Sequence, residues 1–347
     1  MQDMTVSGSY VGAFGDFLVG RGVPARSAYA IEAGRAPASV RAVRRIPYDS
    51  VWSLFERWSG EFDDGHLGLK FGAAIGGAGF GVLGVACASG ETLADAIRAL
   101  VTLEPIVSSV GRASVRMSGD EVELAWDEYA PGSTGSSHFA DAVLAGWVSF
   151  GRYLAGMHVP LRGITLTRRA SSQRATYEDT FDCPVRVGGE RNTVSFDRDW
   201  LSLPMRYAHP EIHRALAQWG MSCARLAELG ESPILESALD GTLDASGLGA
   251  RGLTHVSIDL AIAPRSLQRR LAEHELSYRR MTDCVRLAVA VSELLESERS
   301  LLAIGGDAGF AEQASFSRAF RKWTGVSPTE FRRLFSRDYS TARPAAH

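Results

Sequence analysis

The sequence predicts an α+β N-terminal domain followed by an all-α C-terminal domain in which two helix-turn-helix units are joined by a connector helix. Three observations predict it. The hydrophobic period changes from helical spacing to strict alternation at Arg112 and returns to helical spacing near residue 137. Between residues 265 and 333, two Arg-rich helical stretches each follow an apolar segment closed by a turn. A length of 347 residues also exceeds that of a usual single-core domain.

Composition bounds the function classes. Hydrophobic residues at 45% with charged residues at 22% describe a globular chain with a sizeable core. The glycine-rich stretch 71–88 is expected to be loop-like rather than membrane-spanning. The opening MQDMTVSGSYVG has no basic segment ahead of an apolar one, so secretion is not signalled and a cytoplasmic location without a membrane partner is expected. Cys87, Cys183, Cys223 and Cys284 are scattered and form no C-x-x-C pair, and are expected to be reduced and structural. The net charge of −3 hides a strong segregation. Residues 264–286 hold six Arg against Glu273, Glu275 and Asp283, net +3, and residues 313–337 hold six Arg or Lys against Glu330, net +5. The flanking stretches 231–263 and 287–312 are each −4. Positive charge is thus concentrated where a phosphate backbone would be met.

Taken in order, residues 10–60 read as helical. Val11, Phe14, Phe17 and Leu18 form one apolar series, and Tyr48, Val51, Trp52, Leu54, Phe55 and Trp58 a second that begins after Pro47. Gly79, Gly81 and Gly84 match the dinucleotide fingerprint G-x-G-x-x-G, but no β-branched strand precedes them and the next helix is expected only near Thr92. No cofactor is therefore expected. Leu93, Ile97, Leu100 and Val101 predict a packed helix over 92–103. Alternation on both sides of Gly119 and Asp120 predicts a hairpin. A helix over 137–157, a strand over 161–169, a helix over 175–181 and a strand over 192–198 follow. This order gives a mainly antiparallel sheet with helices on one face. His209 and His213 share a helical face but have no third ligand nearby, so no metal is expected. G-x-S-x-G is absent, and no catalytic constellation is found, so the chain is not read as an enzyme.

A helix over 209–230 and an acidic, Gly-rich tract place the domain boundary near Gly230, giving domains 1–230 and 231–337 and a flexible tail 338–347. Residues 233–243 are expected to open the second domain with a short helix. In the first unit, Leu253 to Leu260 pack, Ala261 to Ala263 turn, and Pro264 starts a helix whose Leu267 and Leu271 face inward. Arg265, Gln268 and Arg269 then share the outer face, where Arg can pair with guanine and Gln with adenine, while Arg270 points towards phosphate. The second unit repeats the plan: Ile304 and Gly309-Phe310 precede an inward stripe of Phe316, Phe320 and Trp323, with Gln313, Ser317, Arg318 and Arg321 outward. The connector, residues 283–298, would span about 24 Å at roughly 1.5 Å per residue. That spacing suits two readers one duplex turn of about 34 Å apart once flanking turns are added.

These residues carry a family resemblance. RSLQRRLAEHELSY, RLAVAVSELL and AGFAEQASFSRAFRKWTGVSPTEFR together resemble the DNA-binding domain of the AraC/XylS transcription regulators. The resemblance assigns base contacts to Arg265, Gln268, Arg269, Gln313, Ser317 and Arg318. Two departures stand out: Ala261 and Ala263 replace the usual Gly and Ser of the first turn, and Gly305 and Gly306 lie inside a scaffold helix. Both are expected to soften the units. HLGLKFG, GVLGVACASGETLADAIRAL and YEDTFDCPVRVGGERNTVSFDRDWLSLPM resemble the arabinose-binding-like domain of the ornithine-utilisation and virulence regulators. The resemblance implies a DNA-binding transcription activator that senses a small-molecule effector, with promoter DNA and RNA polymerase as partners and homodimerisation through the N-terminal domain. The rival expectations are an effector-independent regulator with an assembly domain, and an enzyme fused to a DNA-binding module, which the scattered cysteines oppose. Pocket residues for the effector are not legible.

Overall fold

The computed structural model describes residues 4–29, 41–129, 134–168, 174–228, 252–335 and 339. The boundary near Gly230 and the expected helix over 233–243 lie outside them.

The N-terminal part begins with β1 (Thr5–Ser7) and α1 (Gly8–Gly20), followed by α2 (Ala25–Ala28) and β2 (Arg45–Pro47), which pairs antiparallel with β1. This small sheet corrects the reading of residues 10–60 as helical throughout. Three-residue strands leave no room for a period, so alternation could not reveal them. The second helical series does form where expected, as α3 (Tyr48–Phe62) after Pro47, with Tyr48, Val51, Leu54, Phe55 and Trp58 buried.

The glycine-rich stretch is not a loop. It folds as α4 (Leu67–Ala74), a 3-10 turn (Gly77–Phe80) and α5 (Gly81–Ala88), with a bend of 100° at the break. The glycines are needed for close approach. A Cβ on Gly68 would lie 1.9 Å from the His138 carbonyl oxygen, and one on Gly72 2.3 Å from that of Ala142, so α4 presses directly on the backbone of α7 (Thr134–Ala155). Gly84 likewise faces the Gly77 carbonyl and the Tyr339 hydroxyl. A helix already begins inside the fingerprint, at Gly81, ahead of the expected one near Thr92, and the 3-10 turn before it is not the strand that a dinucleotide site requires. Among the described residues no single helix is long and apolar enough to cross a membrane.

Helix α6 (Leu93–Leu103) is fixed at its start by a capping box in which Thr92 and Asp95 satisfy each other's backbone N–H groups. The five-stranded sheet has the order β3-β4-β7-β5-β6, where β3 is Gly111–Ser118, β4 Glu121–Glu128, β5 Gly163–Leu166, β6 Val185–Val187 and β7 Asn192–Asp197. β3 and β4 pair antiparallel through a turn whose Gly119 has φ +58. The β5–β6 pair alone is parallel, made so by the crossover helix α8 (Arg174–Phe181). α7 lies on β4 and β7, where Trp126 meets Trp147 edge-on at 6.1 Å. Beneath α7 the buried Asp141 carboxylate takes hydrogen bonds from Arg168 and Tyr177, and burial raises its pKa to about 6. The α+β domain ends in α9 (Pro210–Glu228), begun by Pro210 as expected. His213 Nδ1 lies 2.9 Å from the Ala86 carbonyl oxygen, which gives that ring a structural role.

The C-terminal part is all helical: α10 (Leu253–Asp259), α11 (Pro264–Glu273), α12 (Tyr278–Glu296), α13 (Leu301–Asp307), α14 (Gln313–Thr324) and α15 (Pro328–Leu334). It is docked on α9. Trp219 and Trp323 meet edge-on at 6.3 Å, and the Arg280 guanidinium stacks 3.4 Å above the Trp219 ring while donating to Ser222 Oγ and the Gln218 carbonyl. Arg41 pairs with Glu296 and Arg225 with Glu275. Tyr339, assigned by sequence to a flexible tail, is fully buried against Phe150, Tyr207 and Phe335. The four cysteines carry free thiols, and Cys223 and Cys284 line one small cavity between α9 and α12.

Candidate nucleic-acid interface

Each helix-turn-helix unit is built by the same local device. α10 ends with Ala261 in the left-handed region at φ +53; the Ala261 N–H donates to the Ile258 carbonyl and the Ile262 N–H to the Ser257 carbonyl, both at 3.0 Å. α13 ends identically: Gly309 has φ +77, its N–H donates to the Gly306 carbonyl, and the Phe310 N–H donates to the Gly305 carbonyl, both at 2.9 Å. This paired closure is a Schellman motif, which reverses the chain within three residues and satisfies the last carbonyls of the scaffold helix. Glycine suits the reversed residue in the second unit, whereas the first makes the same turn with a Cβ in a strained place.

The turn launches the second helix of each unit with its apolar stripe inward. On α11, Leu267 and Leu271 are fully buried; on α14, Phe316 and Phe320 are fully buried and Trp323 nearly so. Helical spacing then fixes what faces out. Arg265, Gln268 and Arg269 are exposed on α11, and Arg270 is half-buried. Gln313, Arg318 and Arg321 are exposed on α14, with Ser317 half-buried between them. The two outward faces are lightly tethered. Arg269 approaches Glu273 at 4.0 Å with both side chains mostly exposed, an ion pair worth little in water. Arg318 donates to Ser315 Oγ at 3.0 Å. Both helices begin at residues whose side chains make no capping hydrogen bond, Ala263 and Glu312.

One continuous helix, α12, joins the units and begins at Tyr278, five residues before the expected start at Asp283. Its Ser277 cap accepts from the Arg280 N–H. Charge counting overstated the free positive charge here. Arg280 is committed to Trp219, Arg286 stacks at 4.9 Å on Phe310, and Arg332 donates to the Arg299 carbonyl. Asp283 is half-buried beside them: burial raises its pKa, opposed by Arg286, Arg279, Lys322 and Arg280. Sequence position cannot separate an arginine that packs on a distant ring from one that faces solvent. A tryptophan three residues before a helix serine, as Trp219 and Ser222 are, carries no such signal.

Gly305 and Gly306 differ in purpose. A Cβ on Gly305 would lie 3.1 Å from Cβ and Cγ of Phe316, so this glycine lets α13 approach α14, whereas a Cβ on Gly306 would meet nothing within 4 Å.

Comparison with known proteins agrees with this architecture. Residues 24–205, more than half of the chain, match the arabinose-binding domain of AraC transcription regulators, and residues 257–334 match a helix-turn-helix domain. The HTH-type transcriptional regulator VqsM of Pseudomonas aeruginosa is 28% identical over 82% of this chain and 87% of its own length. The ornithine utilization regulator of the same organism is 25% identical over 77% of this chain and 78% of its own. The crystal structure of the transcriptional regulator CdpR from Pseudomonas aeruginosa aligns at 23% identity over 77% of this chain and 86% of that chain, with a TM-score of 0.40, too distant a superposition to bear on individual residues. An arabinose-binding N-terminal domain, a helix-turn-helix C-terminal domain and regulators as relatives over most of its length make this chain a member of the AraC family of transcription regulators.

Proposed function

We propose that the chain is a cytoplasmic one-component transcription activator, in which residues 1–230 sense a small molecule and residues 231–337 read promoter DNA. The observation that carries the DNA-reading part is the duplicated turn, which leaves the Arg and Gln face of α11 and the Gln, Ser and Arg face of α14 exposed on either side of one connector helix. Arg265 and Arg269 are suited to pair with guanine and Gln268 with adenine. Gln313, Ser317 and Arg318 take the corresponding positions in the second major groove, while Arg270 and Arg321 meet phosphate. RNA polymerase and a second copy of the chain are the further partners. No cofactor or catalytic role is assigned.

The docking of α9 on α12 and α14 supports a switch. The Trp219, Trp323 and Arg280 stack ties the second reader to the sensing domain, so an effector that favours one packing of α9 biases how the two readers meet DNA. Selection of bound sequences from random DNA, followed by binding of the selected site to Arg269→Ala and Arg318→Ala, tests the reading face. Each substitution should cost roughly 1–3 kcal/mol at the selected site, and affinity should fall steeply with salt. Two variants that bind like the parent would remove these residues from the interface.

A further inference from the structure

The sensing domain contains a cavity of about 100 Å³ between the five-stranded sheet and helices α5, α6 and α7. Its size is of the order of the roughly 150 Å³ apolar cavity that takes up benzene from water. Leu124 and Phe196 form the sheet side, Leu83 and Ile97 the side of α5 and α6, and Trp147 and Phe150 the side of α7. Among the described residues a single charged group, Arg152, lines it. Arg152 is half-buried, and its Nε and Nη2 donate to the Val159 carbonyl and Nη2 to the Phe181 carbonyl. Among the described residues Arg152 forms no ion pair; burial lowers its pKa and outweighs the electrostatic pull of the Asp182 carboxylate, which acts on it from beyond salt-bridge distance. A guanidinium held by carbonyl dipoles at the edge of an apolar space gains most from an anion that brings its own apolar body.

The helix is also built to leave the space open. Gly151 lines the cavity from within α7, and a Cβ there would meet nothing within 4 Å. A glycine in a helix interior is normally a net cost, and here no neighbouring backbone or side chain requires it. Behind the same wall stands the last described residue of the DNA-binding half. Phe150 contacts Phe80 at 5.1 Å on one side and Tyr339 at 6.1 Å on the other, and Gly84, also a lining residue, faces the Tyr339 hydroxyl. Whatever shifts Phe150 presses on the residue that anchors the C-terminus to the sensing domain.

We propose that this cavity is the effector site and that it takes a compact monocarboxylate, its carboxylate on Arg152 and an apolar body of about benzene's size against Trp147 and Phe150. The site rests on the sensing role proposed above, and Tyr339 is the element through which occupancy reaches the DNA-binding half.

The test uses the full chain without DNA, titrated with hexanoate, benzoate, neutral hexanol and ornithine, and read by tryptophan fluorescence and the thermal midpoint. Hexanoate or benzoate should change the fluorescence and raise the midpoint, with hexanol at least tenfold weaker and ornithine inert. Gly151→Leu should abolish the response while melting at or above the parent temperature, which separates a filled cavity from a misfolded chain. Arg152→Gln should remove the preference for the carboxylate over the alcohol. No response to either carboxylate, or an undiminished response in Gly151→Leu, would overturn the site. Equal binding of hexanol by the parent would overturn the ligand class. Carboxylate binding that leaves the affinity for DNA unchanged would uphold the site and overturn the sensing role on which it rests.

Discussion

Replacing Ala261 by glycine should stabilise the first helix-turn-helix unit by about 1 kcal/mol. Ala261 holds φ +53 at the same point of the Schellman closure where the second unit has Gly309 at φ +77. That region costs an L-residue with a Cβ roughly 1–2 kcal/mol. Glycine removes the cost but gives back about 0.4–1 kcal/mol through the greater freedom of the unfolded chain, so the net gain is about 1 kcal/mol. Native-state hydrogen exchange reads this in the intact protein, because local opening of α10 and α11 is measured separately from opening of the sheet. About 1 kcal/mol corresponds to roughly fivefold slower exchange. The reciprocal variant, Gly309→Ala, should speed exchange in α13 and α14 by a similar factor. Unchanged or faster exchange in Ala261→Gly, alongside a full penalty in Gly309→Ala, would refute the claim that the first turn is strained.

Four further outcomes are expected. Ala263→Ser supplies the missing cap of α11 and should add about 1 kcal/mol, read as a higher thermal midpoint. Gly306→Ala should stabilise α13 by up to about 1 kcal/mol, while Gly305→Ala should destabilise it through contact with Phe316, both read by exchange in α13. Tyr339→Phe removes a buried hydroxyl that has no hydrogen-bond partner among the described residues and should raise stability by about 1 kcal/mol, whereas Tyr339→Ala should lower it by roughly 3–5 kcal/mol. Glu104 is buried and accepts from the Ala113 N–H at 2.9 Å; burial pushes its pKa up to about 8, against the pull of that hydrogen bond and of Arg112. The unfolded chain gives up this proton first, so the stabilising contribution is complete below the ordinary pKa of 4.5 and is lost as pH rises to about 8. In urea melts from pH 5 to 8, Glu104→Gln should therefore lose less stability with rising pH than the parent; parallel slopes would place Glu104 in its charged form throughout.

Much of the architecture is legible wherever the pattern is long enough to repeat. The hairpin around Gly119, the capped helix after Thr92, the long α7 and both recognition helices form where periodicity puts them. Short elements escape it: β1 and β2 are three residues each, and β6, the parallel edge strand, is equally short. The glycine-rich stretch misleads for a different reason. Glycine marks a loop when its own backbone freedom is used, but Gly68 and Gly72 are used for the absence of a side chain beneath α7, and the partner that demands this lies about 70 residues away in the chain, at His138.

By itself the sequence determined the two-unit plan and its inward stripes, because helical facing is a local property of residues three and four apart. It likewise determined the family, through stretches that cover both halves of the chain. Only the tertiary structure decided which arginines are free. Arg269 and Arg318 face solvent while Arg280 and Arg286 lie on Trp219 and Phe310, a division set by where distant rings come to rest. It also decided that Ala261 is left-handed, that Gly305 is required and Gly306 is not, and that an open space bordered by Arg152 exists inside the N-terminal domain. Each of these depends on what a residue meets across the fold, and a burial partner, unlike a period, is not written beside the residue that needs it.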